Sequence, residues 1–266
     1  MTLPRPALLA AWAGAVAAGR CGAADALAAV TGSDEPHTVA VELGATPPAG
    51  LPLPDPGYLS DLLVLLAAAG EEAPVRVSCA LPAPGDVRGV PGPAAVLAAA
   101  VEAGGCVVVD GLPDRAGPAG LALVPEVEEF GPEGDVGAHV TWRVHRTDRP
   151  ASPVHTSVAE ADREFRSALA EATDAIERLD VASWRDDPAA ALRQGGATSQ
   201  RLPGTLPPRA LRLLTRAEHV LAILDAAAVD PGGTVSGWEA AERAAALAGL
   251  SRAARGAVVA AVSLPG

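Results

Sequence analysis

Residues 75–110, VRVSCALPAPGDVRGVPGPAAVLAAAVEAGGCVVVD, decide the fold that the sequence predicts. Residues 75–81 alternate between apolar and polar side chains as a strand does, and residues 106–110 form a short apolar strand. Between them, residues 92–103 are rich in alanine and predict a helix. A strand, a helix and a strand of these lengths are typical of a right-handed βαβ crossover between parallel strands.

The flanking segments extend this pattern. Residues 37–43 (HTVAVEL) predict a strand and residues 58–69 a helix, while residues 121–128 and 138–146 predict two more strands. The loop between these two strands, residues 130–137 (FGPEGDVG), has the glycine and proline content of a hairpin connection. The predicted fold is therefore α/β, with a mixed, mostly parallel sheet of about five strands built from βαβ crossovers and an antiparallel edge hairpin.

The predicted secondary structure changes near residue 150, from mixed strands and helices to helices. Residues 1–150 are predicted to form the α/β domain, which begins with a helical hairpin over residues 6–31. Residues 151–266 predict a helical region. Within it, residues 181–208 contain Pro, Gly and Gln with few large apolar side chains, which is typical of a flexible linker.

The composition excludes several classes of enzyme. The 266 residues include no lysine and no asparagine, and all 20 basic side chains are arginine. Both missing residues are read from AT-rich codons, so this composition indicates a GC-rich genome. Without lysine, a Schiff-base enzyme, a P-loop NTPase and a kinase of the usual pattern are excluded. No G-x-S-x-G elbow supports a serine hydrolase, and the sequence implies no cofactor.

The charge distribution bears on the partners. The net charge is −12, and residues 1–142 hold 17 acids against 5 arginines, whereas residues 143–266 hold 15 of each. Nucleic acid and anionic membranes need a basic surface, so neither is predicted as a partner. A protein partner or a homo-oligomer is predicted instead.

The cysteines and the N-terminus indicate a cytoplasmic location. Cys79 and Cys106 lie in apolar, strand-like runs, where cysteine usually packs as a small hydrophobic residue, and no CxxC pair is present. An uncharged run over residues 7–19 resembles a signal peptide. However, Arg20 precedes Cys21, and the apolar residues of the run recur at helical spacing, which favours a helix of the folded protein.

The predicted hairpin carries the first candidate site. If it is symmetric about residues 133 and 134, Glu128 faces His139, Glu126 faces Thr141 and Arg143 lies diagonal to Glu126. A carboxylate beside an imidazole can act as an acid–base pair or as half of a metal site. The predicted binding surface has six members: Glu126, Glu128, Phe130, His139, Arg143 and His145. The alternative interpretation is the solvated face of an edge hairpin with cross-strand charge pairs.

The second candidate site is the rim of the predicted parallel sheet. The loop over residues 82–93 contains Asp86 and Arg88, and the neighbouring strand ends carry Glu42 and Asp110. Ligands bind beyond the carboxyl ends of parallel strands, where three carboxylates could hold Mg²⁺ and an arginine could clamp a phosphate. The loop matches no nucleotide-binding motif, and its prolines remove backbone donors, so a stiff structural loop is the alternative.

The strings DEPH, LPAPGDVRGVPGP and TWRVHR, followed by helices rich in arginine and alanine, resemble an uncharacterised protein family of high-GC actinobacteria. The resemblance implies no activity and assigns a role to no residue. Two functions therefore remain open. The first is a non-enzymatic cytoplasmic interaction or regulatory protein. The second is a metal-assisted hydrolase or phosphate-ligand-binding protein that uses the rim.

Overall fold

The computed structural model describes residues 3–41, 57–112, 119–132, 136–147, 157–178, 202–229 and 237–263. The chain divides into two units. One consists of Pro4–Val154, Arg201–Leu206 and Val262–Gly266, and the other of Met1–Leu3, His155–Gln200 and Pro207–Ala261. Glu42 and most of the predicted linker lie outside the described residues.

The described residues of the first unit form four helices and six strands. The helices are α1 (Arg5–Ala17), α2 (Ala23–Thr31), α3 (Leu59–Glu72) and α4 (Ala94–Glu102). The strands are β1 (Thr38–Val41), β2 (Gly57–Tyr58), β3 (Arg76–Ala80), β4 (Cys106–Leu112), β5 (Ala119–Phe130) and β6 (Gly137–Thr147). All six strands belong to one sheet in the order β2-β1-β6-β5-β4-β3. The unit is therefore α/β, as the sequence predicts.

The strand directions correct the predicted sheet. Among the described strands, β1 and β6 are the one parallel pair, and every other neighbouring pair is antiparallel. The prediction of a mostly parallel sheet of about five strands is wrong. The error lies in residues 75–110, because β3 and β4 are antiparallel neighbours, with Arg76 opposite Asp110 and Ala80 opposite Cys106.

The loop before α4 explains this antiparallel pairing. At the loop's end, a Cβ placed on Gly92 would lie 3.5 Å from Cγ2 of Thr147, the last residue of β6. The loop therefore leaves the Ala80 end of β3 and crosses to the opposite end of the sheet. Helix α4 then returns to the starting end, where β4 begins at Cys106. Because loop and helix together make a round trip, β4 runs opposite to β3.

The hairpin of β5 and β6 lies at the centre of the sheet, so the prediction of an edge hairpin is also wrong. Strand β6 is flanked by β1, and β5 by β4. The two hairpin strands are longer than their neighbours: β4 pairs with β5 only up to Leu123, and the hairpin continues to the pair Phe130–Gly137. The last part of the hairpin, residues 125–130 and 137–142, therefore projects beyond β4, and we call it the ribbon.

Alternation along the strands divides the core between two faces. The face towards α1 and α3 holds the large apolar side chains of the central strands: Val107, Val109, Leu121, Leu123, Val140, Trp142 and Val144, all buried. On the opposite face, α4 covers a smaller cluster: Ala80, Ala100, Cys106, Val108 and Val124, with Val90 and Ala99 beside it. Beyond α4 this second face carries the polar residues of β6.

The second unit is helical. Its described helices are α5 (Val158–Arg178), α6 (Pro208–Val229) and α7 (Gly237–Val262). The hydroxyl of Ser157 accepts a hydrogen bond from the backbone N–H of Glu160 at 3.1 Å, which caps the first turn of α5. Within α7, Ala241–Val262 is long and apolar enough to cross a membrane by length and composition. Core helices of soluble proteins meet the same criterion, so this is weak evidence for a span.

Glu218 on α6 gives a testable pH dependence. Burial raises the pKa of this carboxyl from 4.5 to about 7. Between these values the folded chain holds a proton that the unfolded chain has lost, so the free energy of unfolding falls as the pH rises through this window. With partial solvent screening, we expect a loss of about 1–2 kcal/mol. In urea titrations from pH 4.5 to 8, the free energy of unfolding should change less with pH for Glu218→Gln than for the unmodified chain. An equal dependence on pH in the two proteins would contradict the raised pKa of Glu218.

Candidate functional site

The register of the central hairpin brings the predicted surface residues together. Glu126 lies opposite Thr141 and Glu128 opposite His139, the pairing that a symmetric hairpin predicts. The guanidinium Nε of Arg143 donates to Glu126 Oε2 at 2.8 Å, which is the diagonal contact expected from the sequence. Their side chains are 43% and 54% exposed, so this ion pair contributes at most about 1 kcal/mol to stability.

The predicted pair of Glu128 and His139 does not form an ion pair in the described part of the chain. The imidazole of His139 lies instead against the ring of Phe130, with the ring centroids 4.8 Å apart. Phe130 itself crosses over Gly137, because a Cβ at Gly137 would lie 2.6 Å from Cζ of the phenyl ring. Phe130 thus covers the end of the ribbon and remains 43% exposed.

A groove of about 770 Å³ runs along β5 on the face that carries these residues. One wall is the C-terminal part of α4, with Ala99, Glu102 and Ala103. The floor and the other wall come from the hairpin: Val124, Pro125, Glu126, Val127, Glu128, Arg143 and His145. The groove therefore contains Glu126, Glu128, Arg143 and His145 of the predicted surface, while Phe130 and His139 lie further along the ribbon.

The groove is acidic. Glu102 on α4 faces the same space as Glu126 and Glu128 on β5, and Arg143 is paired with Glu126. Helix α4 ends here, so its last carbonyl groups add partial negative charge. A cationic ligand fits this environment better than an anionic one.

Beside the groove, the backbone edge of β5 extends past the last described strand that pairs with it. Strand β4 accompanies β5 to the pair of Val107 and Leu123, and no described strand pairs with that edge over residues 125–130. Pro125 stands at the point where β4 stops, which is where a residue without an N–H is tolerated in a strand. At full extension, the six open residues measure about 20 Å.

The strand directions remove the geometric basis of the predicted rim, because β4, which carries Asp110, runs antiparallel to β3. Asp110 lies opposite Arg76 at the start of β3, whereas Asp86 lies in the loop that leaves the other end of β3 at Ala80 and crosses the sheet. Asp86 is bound by Arg88 within its own loop, with Nε 2.8 Å from Oδ1. Glu42 lies outside the described residues, so its place relative to Asp86 and Asp110 stays a prediction.

No group of three metal-ligating side chains occurs among the residues that the structure describes. The buried cysteines act as packing residues. Burial raises the pKa of the Cys79 thiol strongly and that of Cys106 to about 12. Since the thiolate is the reactive form of cysteine, both side chains remain protonated small hydrophobic residues at neutral pH.

Two family models cover most of the sequence. Residues 6–158 match the model described as "Rv1486c-like protein, N-terminal domain", and residues 159–259 match "Rv1486c-like protein, C-terminal domain". The chain belongs to the Rv1486c-like family. The two models meet between residues 158 and 159, at the start of α5, close to the division between the two structural units.

Individual relatives support the same assignment. The uncharacterised protein Rv1486c of Mycobacterium tuberculosis (strain ATCC 25618 / H37Rv) is 32% identical to this chain over 232 residues, covering 80% of this chain and 79% of the relative. The uncharacterised protein ML1804 of Mycobacterium leprae (strain TN) is 30% identical over 259 residues, covering 86% of each. These mycobacterial relatives confirm the resemblance to an actinobacterial family. No solved structure matches the chain.

The sequence did not indicate the α4 wall of the groove in this Rv1486c-like chain. Ala99, Glu102 and Ala103 lie on an alanine-rich helix whose sequence carries no motif. Helical spacing does place Ala99 and Glu102 on one side of α4. Only the position of α4 over β5 shows that this side faces the hairpin.

Proposed function

We propose that this chain is a protein-interaction module whose groove binds an extended, basic segment of a partner protein as an added strand on β5. The open backbone edge of β5 beside the groove carries this proposal. An unpaired edge offers N–H and C=O groups to a further strand, and peptide recognition by strand addition uses such an edge. Helix α4 supplies the wall that would hold the added strand in place.

The side chains around the edge define the partner. Every second residue of an added strand would point towards the face that carries Glu126 and Glu128, so basic residues at alternate positions are favoured. Glu102 reaches the same groove from α4. The acidic excess of residues 1–142 would steer a basic segment towards this unit.

Apolar side chains at the end of the ribbon enlarge the contact area. Val127, Phe130 and Val136 are exposed there, and neighbouring exposed apolar side chains are a feature of interaction sites. Their proximity to the open edge supports a partner that continues past the groove along the ribbon. This arrangement supports the interaction function over the rim-based enzyme.

The test is a peptide-binding measurement by fluorescence polarisation. A labelled ten-residue peptide of alternating arginine and valine should bind the full chain, and a peptide of alternating glutamate and valine should not. The double variant Glu102→Lys with Glu128→Lys should weaken binding of the basic peptide roughly tenfold, because two favourable charge contacts become repulsive.

The matched control is the double variant Glu71→Lys with Glu72→Lys. It makes the same change in net charge at two exposed positions at the end of α3, outside the groove. This control should retain the affinity of the unmodified chain to within about twofold. Equal losses in both double variants would show unspecific attraction and refute the groove as the binding site.

A further inference from the structure

Three arginines of the helical unit converge on one carboxylate. Asp162 on α5 accepts from Arg166 Nη2 at 2.9 Å and from Arg216 Nη1 at 3.2 Å, and Arg209 Nη2 lies 3.9 Å from the same carboxyl group. Arg166 also belongs to α5, whereas Arg209 and Arg216 belong to α6. We call Arg166, Arg209 and Arg216 the arginine cluster.

The arginine cluster holds more positive charge than its acid neutralises. Among the described residues, Asp162 is the one acid within ion-pair distance of these three guanidinium groups, which leaves a local surplus of two charges. The three arginines are 47–57% exposed, whereas Asp162 is 15% exposed beneath them. Most of their N–H donors therefore face solvent. The chain as a whole has a net charge of −12, so this local surplus has the opposite sign.

Neighbouring groups hold the cluster in position. The guanidinium of Arg216 lies 5.6 Å from the centroid of the Phe165 ring, a cation–π distance, and Phe165 is fully buried. Arg166 Nε also donates to the backbone carbonyl of Asp162 at 3.2 Å. Arg209 lies in the first turn of α6, where free backbone N–H groups add partial positive charge. Less entropy is lost when donors that are already ordered bind an anion.

From this geometry we infer that the arginine cluster is a binding site for a phosphoryl dianion. Planar guanidinium groups match phosphate oxygens with paired hydrogen bonds, and two negative charges balance the local surplus. Asp162 acts as a positioning residue that orients the three side chains from below. The phosphoryl group can belong to free phosphate or to a phosphorylated side chain of a partner, since both present the same oxygens.

Calorimetric titration of the full chain tests this site. Inorganic phosphate and a short phosphoserine peptide are titrated at fixed ionic strength, above the second pKa of phosphate, with the unphosphorylated peptide as reference. Both phosphoryl ligands should bind, and Arg209→Gln should weaken each of them roughly tenfold. Arg209 makes the longest contact with Asp162, so its substitution should leave the fold intact, and far-UV circular dichroism checks this.

The matched control is Arg20→Gln, which removes the same charge from an exposed position outside the cluster and should leave the affinity unchanged. Tighter binding of the phosphopeptide than of phosphate would show that a modified protein is the source of the phosphoryl group. Comparable affinities would indicate free phosphate. Absence of binding, or equal losses in Arg209→Gln and Arg20→Gln, would overturn the inference.

Discussion

Replacement of Trp142 by alanine is expected to lower the free energy of unfolding by about 3–5 kcal/mol. Trp142 lies in β6 and is the largest fully buried side chain among the described residues. The substitution removes its packing on the α1 and α3 face and leaves a cavity. A loss of this size is a large fraction of the 5–15 kcal/mol that typically stabilises a domain. Chemical denaturation followed by circular dichroism measures it.

Trp142 also belongs to a series of polar side-chain contacts that runs through His37 and Asp34 to Arg5. Its Nε1 donates to Nδ1 of the buried His37 at 3.3 Å, so the proton of His37 resides on Nε2, which lies 3.4 Å from Asp34 Oδ2. Arg5 Nη2 donates to the same oxygen at 3.0 Å. Trp142→Phe keeps most of the apolar volume and removes the donor, so it should cost about 1–3 kcal/mol. If Trp142→Ala cost less than Trp142→Phe, this account of the core would be wrong.

Gly70→Ala is expected to destabilise the first unit by at least about 2 kcal/mol. Gly70 lies on α3 where this helix meets the end of α1, and a Cβ there would overlap the carbonyl oxygen of Ala17 and lie 2.8 Å from its carbonyl carbon. Backbone atoms cannot rotate away as a flexible side chain can. The two helices would have to separate, which outweighs the gain of about 1 kcal/mol that alanine brings to a helix.

Gly249→Ala provides the matched control for this prediction. Gly249 is also a helical glycine, on α7, but no atom of the described residues lies within 4 Å of the Cβ that the substitution would add. There the helical preference of alanine acts alone, and stability should rise by up to about 1 kcal/mol. The two substitutions should therefore have opposite signs in thermal denaturation. The same sign for both would contradict the close approach of α1 and α3.

The hairpin shows which side-chain contacts can be predicted from local sequence patterns and which cannot. Side chains alternate strictly along a strand, and the loop over residues 130–137 allows one symmetric pairing. The partners of Glu126 and Glu128, and the diagonal contact of Arg143, follow from these two facts. The contact of Phe130 with His139 does not follow, because it depends on how a ring rotates over Gly137.

The direction and order of the strands are not encoded locally. The order strand, helix, strand in residues 75–110 is compatible with a crossover between parallel strands. It is equally compatible with a loop that crosses the sheet and a helix that returns, which makes the two strands antiparallel. The loop that ends at Gly92 is long enough to cross the sheet before α4 begins, so the pairing of β3 with β4 is decided by tertiary contacts such as that of Gly92 with Thr147. The rim was predicted from a parallel arrangement of strands that this part of the sheet does not have.

The sequence alone likewise could not predict surfaces that combine residues of separate helices or strands. Asp162 and Arg166 are four residues apart on α5, a spacing that predicts an ion pair. Arg209 and Arg216 join them only because α6 packs beside α5. In the same way, Glu102 becomes part of the groove only because α4 lies over β5.

Strand addition on β5 is tested most directly by peptides with blocked backbone donors. Two versions of the alternating arginine and valine peptide are compared, one unmodified and one N-methylated at alternate residues, with the methyl groups on the edge that would face β5. Both keep the same charges, so electrostatic attraction to Glu102, Glu126 and Glu128 is unchanged. We expect N-methylation to reduce the affinity at least tenfold, because each methyl group removes a ladder hydrogen bond. Equal affinities of the two peptides would contradict strand addition on β5.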